Sequence, residues 1–233
     1  MRKLSTLSGL GDAVYAFPIV SHLAKFSDVM VSTQYPEVFA DIPNVVATGD
    51  KLPGSICLRY SRQPGSNYWQ DVKSCVGPLS IGVEFEFTYS QTCDRFDLPK
   101  NRHVCLIKEP STAHMHRDRN DFQITPDADR MQNFILENKH RFYFVSVEHE
   151  TNNIHKRLIG IDERFSRLTT HEYLALCVRA DAIASQICHL VPIAQGLRKE
   201  LHVFAPRGPL TGFLRNLTVE QVLAHKERVT IWR

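Results

Sequence analysis

Apolar positions along this chain fall into short β-branched runs separated by stretches with helical spacing. Residues 1–7 read as a strand that enters a turn, Ser8-Gly9-Leu10-Gly11-Asp12, and the turn opens a helix. Ala13, Val14, Ala16, Phe17, Val20, Leu23 and Ala24 give that helix one apolar face. Asp12 is expected at its cap, and Pro18 in its second turn is expected to bend or restart it. Strands follow at 28–33, 44–47 and 55–60, with a helical turn opened by Pro36 at 36–40. Residues 61–77 read as a loop followed by a helix. The stretch IGVEFEFT, 81–88, alternates apolar and acidic residues; it predicts a strand, with helix as the competing reading.

Proline and charge at 97–102 (DLPKNR) mark a boundary ahead of a strand at 103–107. A helix is expected from Thr125-Pro126-Asp127 to His140, with Met131, Phe134, Ile135 and Asn138 on one face. The run RFYFVSVE, 141–148, reads as a strand buried on both faces, as parallel sheets require. Further strands are expected at 158–161, 181–185 and 201–205. Helices are expected at 171–179, capped by Thr169 or Thr170, and at 187–197 and 218–225. Residues 229–232 read as extended. The alternation is that of a doubly wound α/β protein, whose ligands bind beyond the carboxyl ends of the strands. The Gly9–Asp12 turn lies at such an end. No internal repeat is visible.

Composition narrows the classes. At 233 residues, 43% hydrophobic and 23% charged, the chain can bury one large core or two small ones. A net charge of +3 and a pI of about 8.5 are too mild to imply nucleic acid. No apolar run approaches the ~18 residues of a membrane span, and MRKLSTLSGLGD lacks the features of a signal peptide. Cys57, Cys75, Cys93, Cys105, Cys177 and Cys188 form no CxxC pair, which argues against zinc and against a disulfide framework. Free thiols in a reducing cytoplasm are the simplest expectation. The histidines show no metal-binding spacing.

Gly9-Leu10-Gly11-Asp12, Pro18, Leu23 and Lys25 together resemble the N-terminal signature "GLGDxLxxxPxLxxLK" of the heptosyltransferase-like glycosyltransferases, glycosyltransferase family nine. A second stretch, Ala180 to Phe204, is similar to that family's "ADLVIGNDSGPMHLAAALGKPVVALF" at Ala180-Asp181, Leu197, Lys199 and the final strand. The resemblance implies a shortened GT-B architecture: two Rossmann-like domains facing across a cleft, 1–100 on the acceptor side and 101–233 binding a nucleotide sugar. It implies metal-independent, inverting sugar transfer with no cofactor, the nucleotide sugar being a co-substrate. Asp12 would be the general base that activates an acceptor hydroxyl; taken alone it is equally an N-cap.

Donor binding would fall to Gly9 and Gly11, to Lys108 and Glu109 at the end of the 103–107 strand, and to Ser185, Gln186 and His189. The helix starting near Gln186 is expected to hold a diphosphate on its free N–H groups. The chain departs from the family here: "NDSGPMH" becomes Gln186 to Pro192, with His189 at the glycine and Pro192 at the histidine. His189 is either a substitute phosphate or ribose contact or an ordinary packed histidine. Arg117 and Arg119 are reserves for Lys108, and Glu148 is a further hydroxyl-binding candidate. Arg59, Arg62 and Trp69 belong to a cation–aromatic mix suited to an acceptor; the plainer alternative makes Trp69 a core anchor.

The acceptor is expected to be a surface-glycan or lipopolysaccharide sugar, or else a modified base in DNA. In the latter case Arg95, Lys100, Arg102, Arg117 and Arg119 would line a phosphate-binding face, and the base would be flipped out. A competing class is a non-catalytic nucleotide- or partner-binding protein derived from a transferase, which the altered 186–192 stretch favours. A nucleotide-dependent oxidoreductase is disfavoured because the opening turn lacks GxGxxG. Nothing in the pattern selects a sugar, a nucleotide or an oligomeric state.

Overall fold

A computed structural model describes residues 1–60, 67–110, 128–148, 157–205 and 218–233. The described chain forms two sheets, both wholly parallel. The first contains β1 (Arg2–Thr6), β2 (Val29–Ser32), β3 (Val45–Thr48) and β4 (Ile56–Leu58) in the order β3-β2-β1-β4. The second contains β5 (His103–Ile107), β6 (Phe142–Glu148), β7 (Glu163–Ser166), β8 (Ala182–Gln186), β9 (Glu200–Phe204) and β10 (Val229–Trp232) in the order β10-β9-β8-β5-β6-β7. Each sheet therefore starts in the middle, winds outward and reverses. The reversals lie between β1 and β4 and between β5 and β8, and such switch points are where doubly wound sheets bind ligands.

The helices are α1 (Leu10–Ala24), α2 (Tyr68–Ser74), α3 (Ala128–Asn138), α4 (Thr170–Arg179), α5 (Leu190–Gly196) and α6 (Val219–Val222), with 3-10 turns at Pro36–Phe39 and Gly77–Ser80. Helix α1 is continuous through Pro18, and Ala13 to Val20 are all buried. It has no solvent face over that stretch because β1 and β2 cover one side while α2 and α5 cover others. The expected single apolar face is corrected by this enclosure, and the helix does not restart at Pro18: packing on several sides holds it together across one missing backbone donor.

Three further expectations change. Residues 83–89 are extended but join no sheet. Val83, Phe85, Phe87 and Tyr89 are buried, Glu84, Glu86 and Thr88 are exposed, and the Phe87 N–H donates to Gly196 O at 3.0 Å. The alternation reports one-sided burial, which an isolated extended segment satisfies as well as a strand does. The strand expected at 158–161 is instead β7, ERFS; its charge is explained by the buried ion pair of Arg164 with Glu109 described below. Helix α5 begins at Leu190 rather than 187, because β8 runs on through Gln186.

One apolar core runs from Leu4 and α1 through Phe85 and Phe87 to Leu106, Ile183, Val191 and Val203, so both sheets share it. A second core, around Cys105, Phe134, Phe142, Phe144 and Phe204, fills the opposite face of the larger sheet under α3. The C-terminal segment returns to the first half: Tyr15 donates to Val222 O at 2.6 Å, and Asn67 Nδ2 donates to Leu223 O at 2.7 Å. Among the described residues no helix is long and apolar enough to cross a membrane.

Candidate functional site

The carboxyl end of β1 leads straight into α1. Gly9 is the N-cap, and Asp12 is the third helical residue rather than the cap itself. Its Oδ2 reaches back to accept the Gly9 N–H at 3.0 Å, satisfying one of the donors a helix start leaves open. Its Oδ1 accepts the Tyr68 hydroxyl at 2.7 Å. Tyr68 is the first residue of α2. Its ring lies 4.5 Å from Tyr15 and 4.2 Å from Tyr60, centroid to centroid, and Tyr15 lies 5.0 Å from Phe85. Burial, and then the nearby Asp12 charge, push the phenols of Tyr15 and Tyr68 well above their ordinary range. Both therefore stay protonated and act as donors.

The two glycines serve differently from the expected turn. Gly9 has φ −96, a conformation open to any residue. Gly11 matters for space. A Cβ there would lie 3.3 Å from His189 Cα and 3.4 Å from Pro192 Cγ, so the first turn of α1 abuts the start of α5. His189 is the N-cap of α5, and its Nε2 lies 2.8 Å from the Tyr173 hydroxyl. The structure thus brings Asp12, Gly11 and His189 to one junction between the two halves.

Lys108 and Glu109 follow β5 at the second switch point. Pleat alternation puts Lys108 on the face of Val104 and Leu106, within the shared core, and Glu109 on the face of Cys105 and Ile107. Lys108 is only 7% exposed, and among the described residues its ammonium has no hydrogen-bond or ion-pair partner. Glu109 is fully engaged. It takes Arg164 in a two-point pair (Nε 2.8 Å, Nη2 3.2 Å), the Ser146 hydroxyl at 3.1 Å and the Leu158 N–H at 2.7 Å. That hydrogen bonding raises the Arg164 guanidinium above its ordinary range. Glu109 thus ties β5, β6 and β7 together through its own carboxylate.

On β8, the buried Ser185 hydroxyl donates to Gln186 O at 2.8 Å. Gln186 is 3% exposed, and among the described residues its buried Oε1 has no hydrogen-bond partner. It ends a strand, so the expected anion cradle at a helix start is not at Gln186. Lys108 and Gln186 nonetheless close adjacent strands, tied by the Lys108 N–H to Ala184 O bond of 2.9 Å.

Of the described acceptor candidates, Arg59 is exposed and Trp69 is buried. The Arg59 backbone N–H donates to Cys75 Sγ at 3.4 Å, and Arg62 lies outside the described residues. Trp69 is 4% exposed and packs 5.2 Å from Phe85, under Lys73; the core-anchor alternative is correct for it. Glu148 pairs with Arg157 at 2.8 Å. Two cations of the imagined DNA face are occupied at home. Arg95 binds Glu172 at 2.9 Å and the carbonyls of Ser166 and Arg167, and Arg102 donates to the carbonyls of Lys139 and Phe142. Lys100 is exposed, and Arg117 and Arg119 lie outside the described residues.

Sequence reasoning missed Tyr68 as the partner of Asp12, and Arg164 as the partner of Glu109. The first had a local signal in the Asn67 cap, which sets Tyr68 at the start of α2 by accepting the Trp69 and Gln70 N–H groups at 2.9 and 3.3 Å. The second had none, since the pair is 55 residues apart in sequence.

By sequence, the chain matches no protein-family model and no curated protein. Its structure is similar to several solved glycosyltransferases. With the glycosyl transferase family 9 protein of Veillonella parvula it shares 10% identity over 99% of this chain and 84% of that one, at a TM-score of 0.64. With the iron-containing dodecameric glycosyltransferase TibC of enterotoxigenic E. coli it shares 12% identity over 86% of this chain, at a TM-score of 0.60. The match spans 58% of TibC's own length. With E. coli heptosyltransferase WaaC, solved with ADP-2-deoxy-2-fluoro heptose, it shares 10% identity over 100% of this chain and 93% of that one, at a TM-score of 0.58. TibC has also been solved in complex with ADP-D-beta-D-heptose. The fold is thus the GT-B-type fold of the heptosyltransferase-like glycosyltransferases.

Proposed function

We propose that this protein transfers a sugar from a nucleotide-sugar donor to the hydroxyl of a glycan acceptor, with residues 1–100 on the acceptor side and 101–233 on the donor side. The observation that carries the reading is Lys108: a nearly buried lysine with no partner among the described residues, at the switch point of the second sheet, on a glycosyltransferase fold. Burying an unpaired charge is costly, so such a position suits a residue that receives an anion. A donor diphosphate supplies that anion, and the ADP-sugars bound by the structural neighbours make an adenine diphosphate sugar the first to try. The orphaned Gln186 Oε1 suits a ribose or sugar hydroxyl, whose O–H it can accept.

In this reading Asp12 takes the proton of the acceptor hydroxyl as its oxygen attacks the anomeric carbon. The new C–O bond forms as the bond to the diphosphate breaks, and the electron pair leaves with the diphosphate, whose charge Lys108 offsets. Direct displacement inverts the anomeric centre, and no metal takes part.

Asp12→Asn tests the proposal, since asparagine can still accept the Tyr68 bond. Sugar transfer is expected to fall by roughly 10²–10⁴-fold. ADP is expected to raise the melting temperature of variant and wild type alike. Undiminished transfer would sink the role of Asp12. If no nucleotide raises the wild-type melting temperature, the donor site fails and the partner-binding alternative takes its place.

A further inference from the structure

We infer that Tyr68 is the positioning residue of this site: its hydroxyl, together with the Gly9 N–H, locks the Asp12 carboxylate in a single orientation. The inference rests on the reading of Asp12 as the base. The two donors come from different elements. Gly9 belongs to the start of α1 itself, and Tyr68 comes from α2, 56 residues away in sequence. Each holds one carboxylate oxygen. An aspartate held at both oxygens cannot swing between rotamers, and a general base works only when its lone pair is aimed at the proton it takes.

Tyr68 is itself immobilised. Asn67 caps the helix at whose first residue it stands, and Asn67 Nδ2 is anchored to Leu223 O at 2.7 Å. Its ring is packed by Tyr15 and Tyr60, and the Tyr15 hydroxyl is anchored to Val222 O at 2.6 Å. Two adjacent carbonyls at the end of α6 therefore hold Tyr15 and Asn67, which place Tyr68, and Tyr68 holds the carboxylate. The C-terminal segment, which follows the donor-side sheet in sequence, takes part in orienting a residue of the acceptor side.

Among the described residues, Tyr15 on its own helix and Tyr68 on α2 lie close enough to feel this carboxylate; Tyr60, two residues past β4, packs on Tyr68, and His189 at the head of α5 lies against Gly11. Of these, Tyr68 donates a hydrogen bond to an Asp12 oxygen. A hydrogen bond to a carboxylate favours its charged form, so removing the donor favours the protonated one.

The test is Tyr68→Phe, read in two independent ways. In transfer assays kcat is expected to drop about 10-fold with the donor KM unchanged, and the acid limb of the kcat profile is expected to move to higher pH. In the ligand-free protein, the midpoint of the Asp12 carboxyl titration, followed by carbon NMR, is expected to rise. Incorporating 3-fluorotyrosine in place of Tyr68 makes the phenol a stronger donor and is expected to lower that midpoint; this keeps the test usable if Tyr68→Phe does not fold. An Asp12 midpoint that ignores both changes overturns the inference. So does an unshifted acid limb in a folded Tyr68→Phe protein whose transfer still depends on Asp12. Transfer that survives Asp12→Asn would instead overturn the reading of Asp12, whatever the NMR titration gives.

Discussion

Gly196 closes α5 where the extended 83–89 segment crosses it. A Cβ at this position would lie 2.4 Å from Phe87 Cβ and 3.0 Å from Phe87 N. The clash is with backbone and its first carbon, which no rotamer change relieves. Moving Phe87 would also disturb its N–H bond to Gly196 O and its edge-on contact with Phe17, at 5.0 Å. Gly196→Ala is therefore expected to destabilise the protein by about 2 kcal/mol despite the better helix propensity of alanine. It should appear as a lower urea midpoint with an unchanged slope. Gly11 is a milder case of the same kind. Both glycines stand in the sequence as turn or helix-end residues, and neither shows there that its reason is a neighbour far along the chain.

Elements with local instructions were legible. The Thr169–Glu172 pair starts α4 as a reciprocal box: the Thr169 hydroxyl accepts the Glu172 N–H at 3.2 Å, and the Thr169 N–H donates to Glu172 at 2.8 Å. The Thr169 N–H and then Arg95 hold the Glu172 carboxyl down at about 2 instead of 4.5. A carboxyl lowered on folding stabilises the protein above its unfolded value and loses that contribution as it is protonated. The loss is thus expected as pH falls from about 4.5 to about 2. Glu172→Gln should flatten that part of the stability profile in denaturant unfolding and leave the neutral-to-basic part parallel to wild type. Elements whose instructions are remote were not legible. The strand expected at the apolar run 158–161 falls instead at β7, which carries Glu163 and Arg164, because Arg164 is tied to Glu109 past the end of β5.

Across the whole molecule, the two sheets share the winding 3-2-1-4, the second adding two strands beyond it. The two switch points carry the turn into Asp12 and the Lys108 strand end. Lys108→Met, which keeps most of the buried stem and removes the charge, separates function from stability at this scale. Removing a charge-assisted phosphate contact should weaken ADP binding by about 10- to 100-fold in calorimetry. The melting temperature of the ligand-free protein should not fall, since the ammonium removed had no partner among the described residues. A loss of stability with unchanged ADP affinity would make Lys108 a structural residue.

The amino-acid order by itself determined the alternation of strands and helices, the class of fold, a threonine cap at 169 or 170 and the strand ends at which Asp12 and Lys108 stand. These follow from periodicity, turn chemistry and capping, which act within a few residues. Only the tertiary structure decided that α1 is enclosed on several sides, that residues 83–89 bind a helix end instead of a sheet edge, that Trp69 is buried and Glu109 pairs with Arg164, and that Tyr68 holds Asp12. Each of those depends on which distant group fills the adjoining space. The chain's local pattern sets the faces that must be covered, and the packing of the two halves decides what covers them.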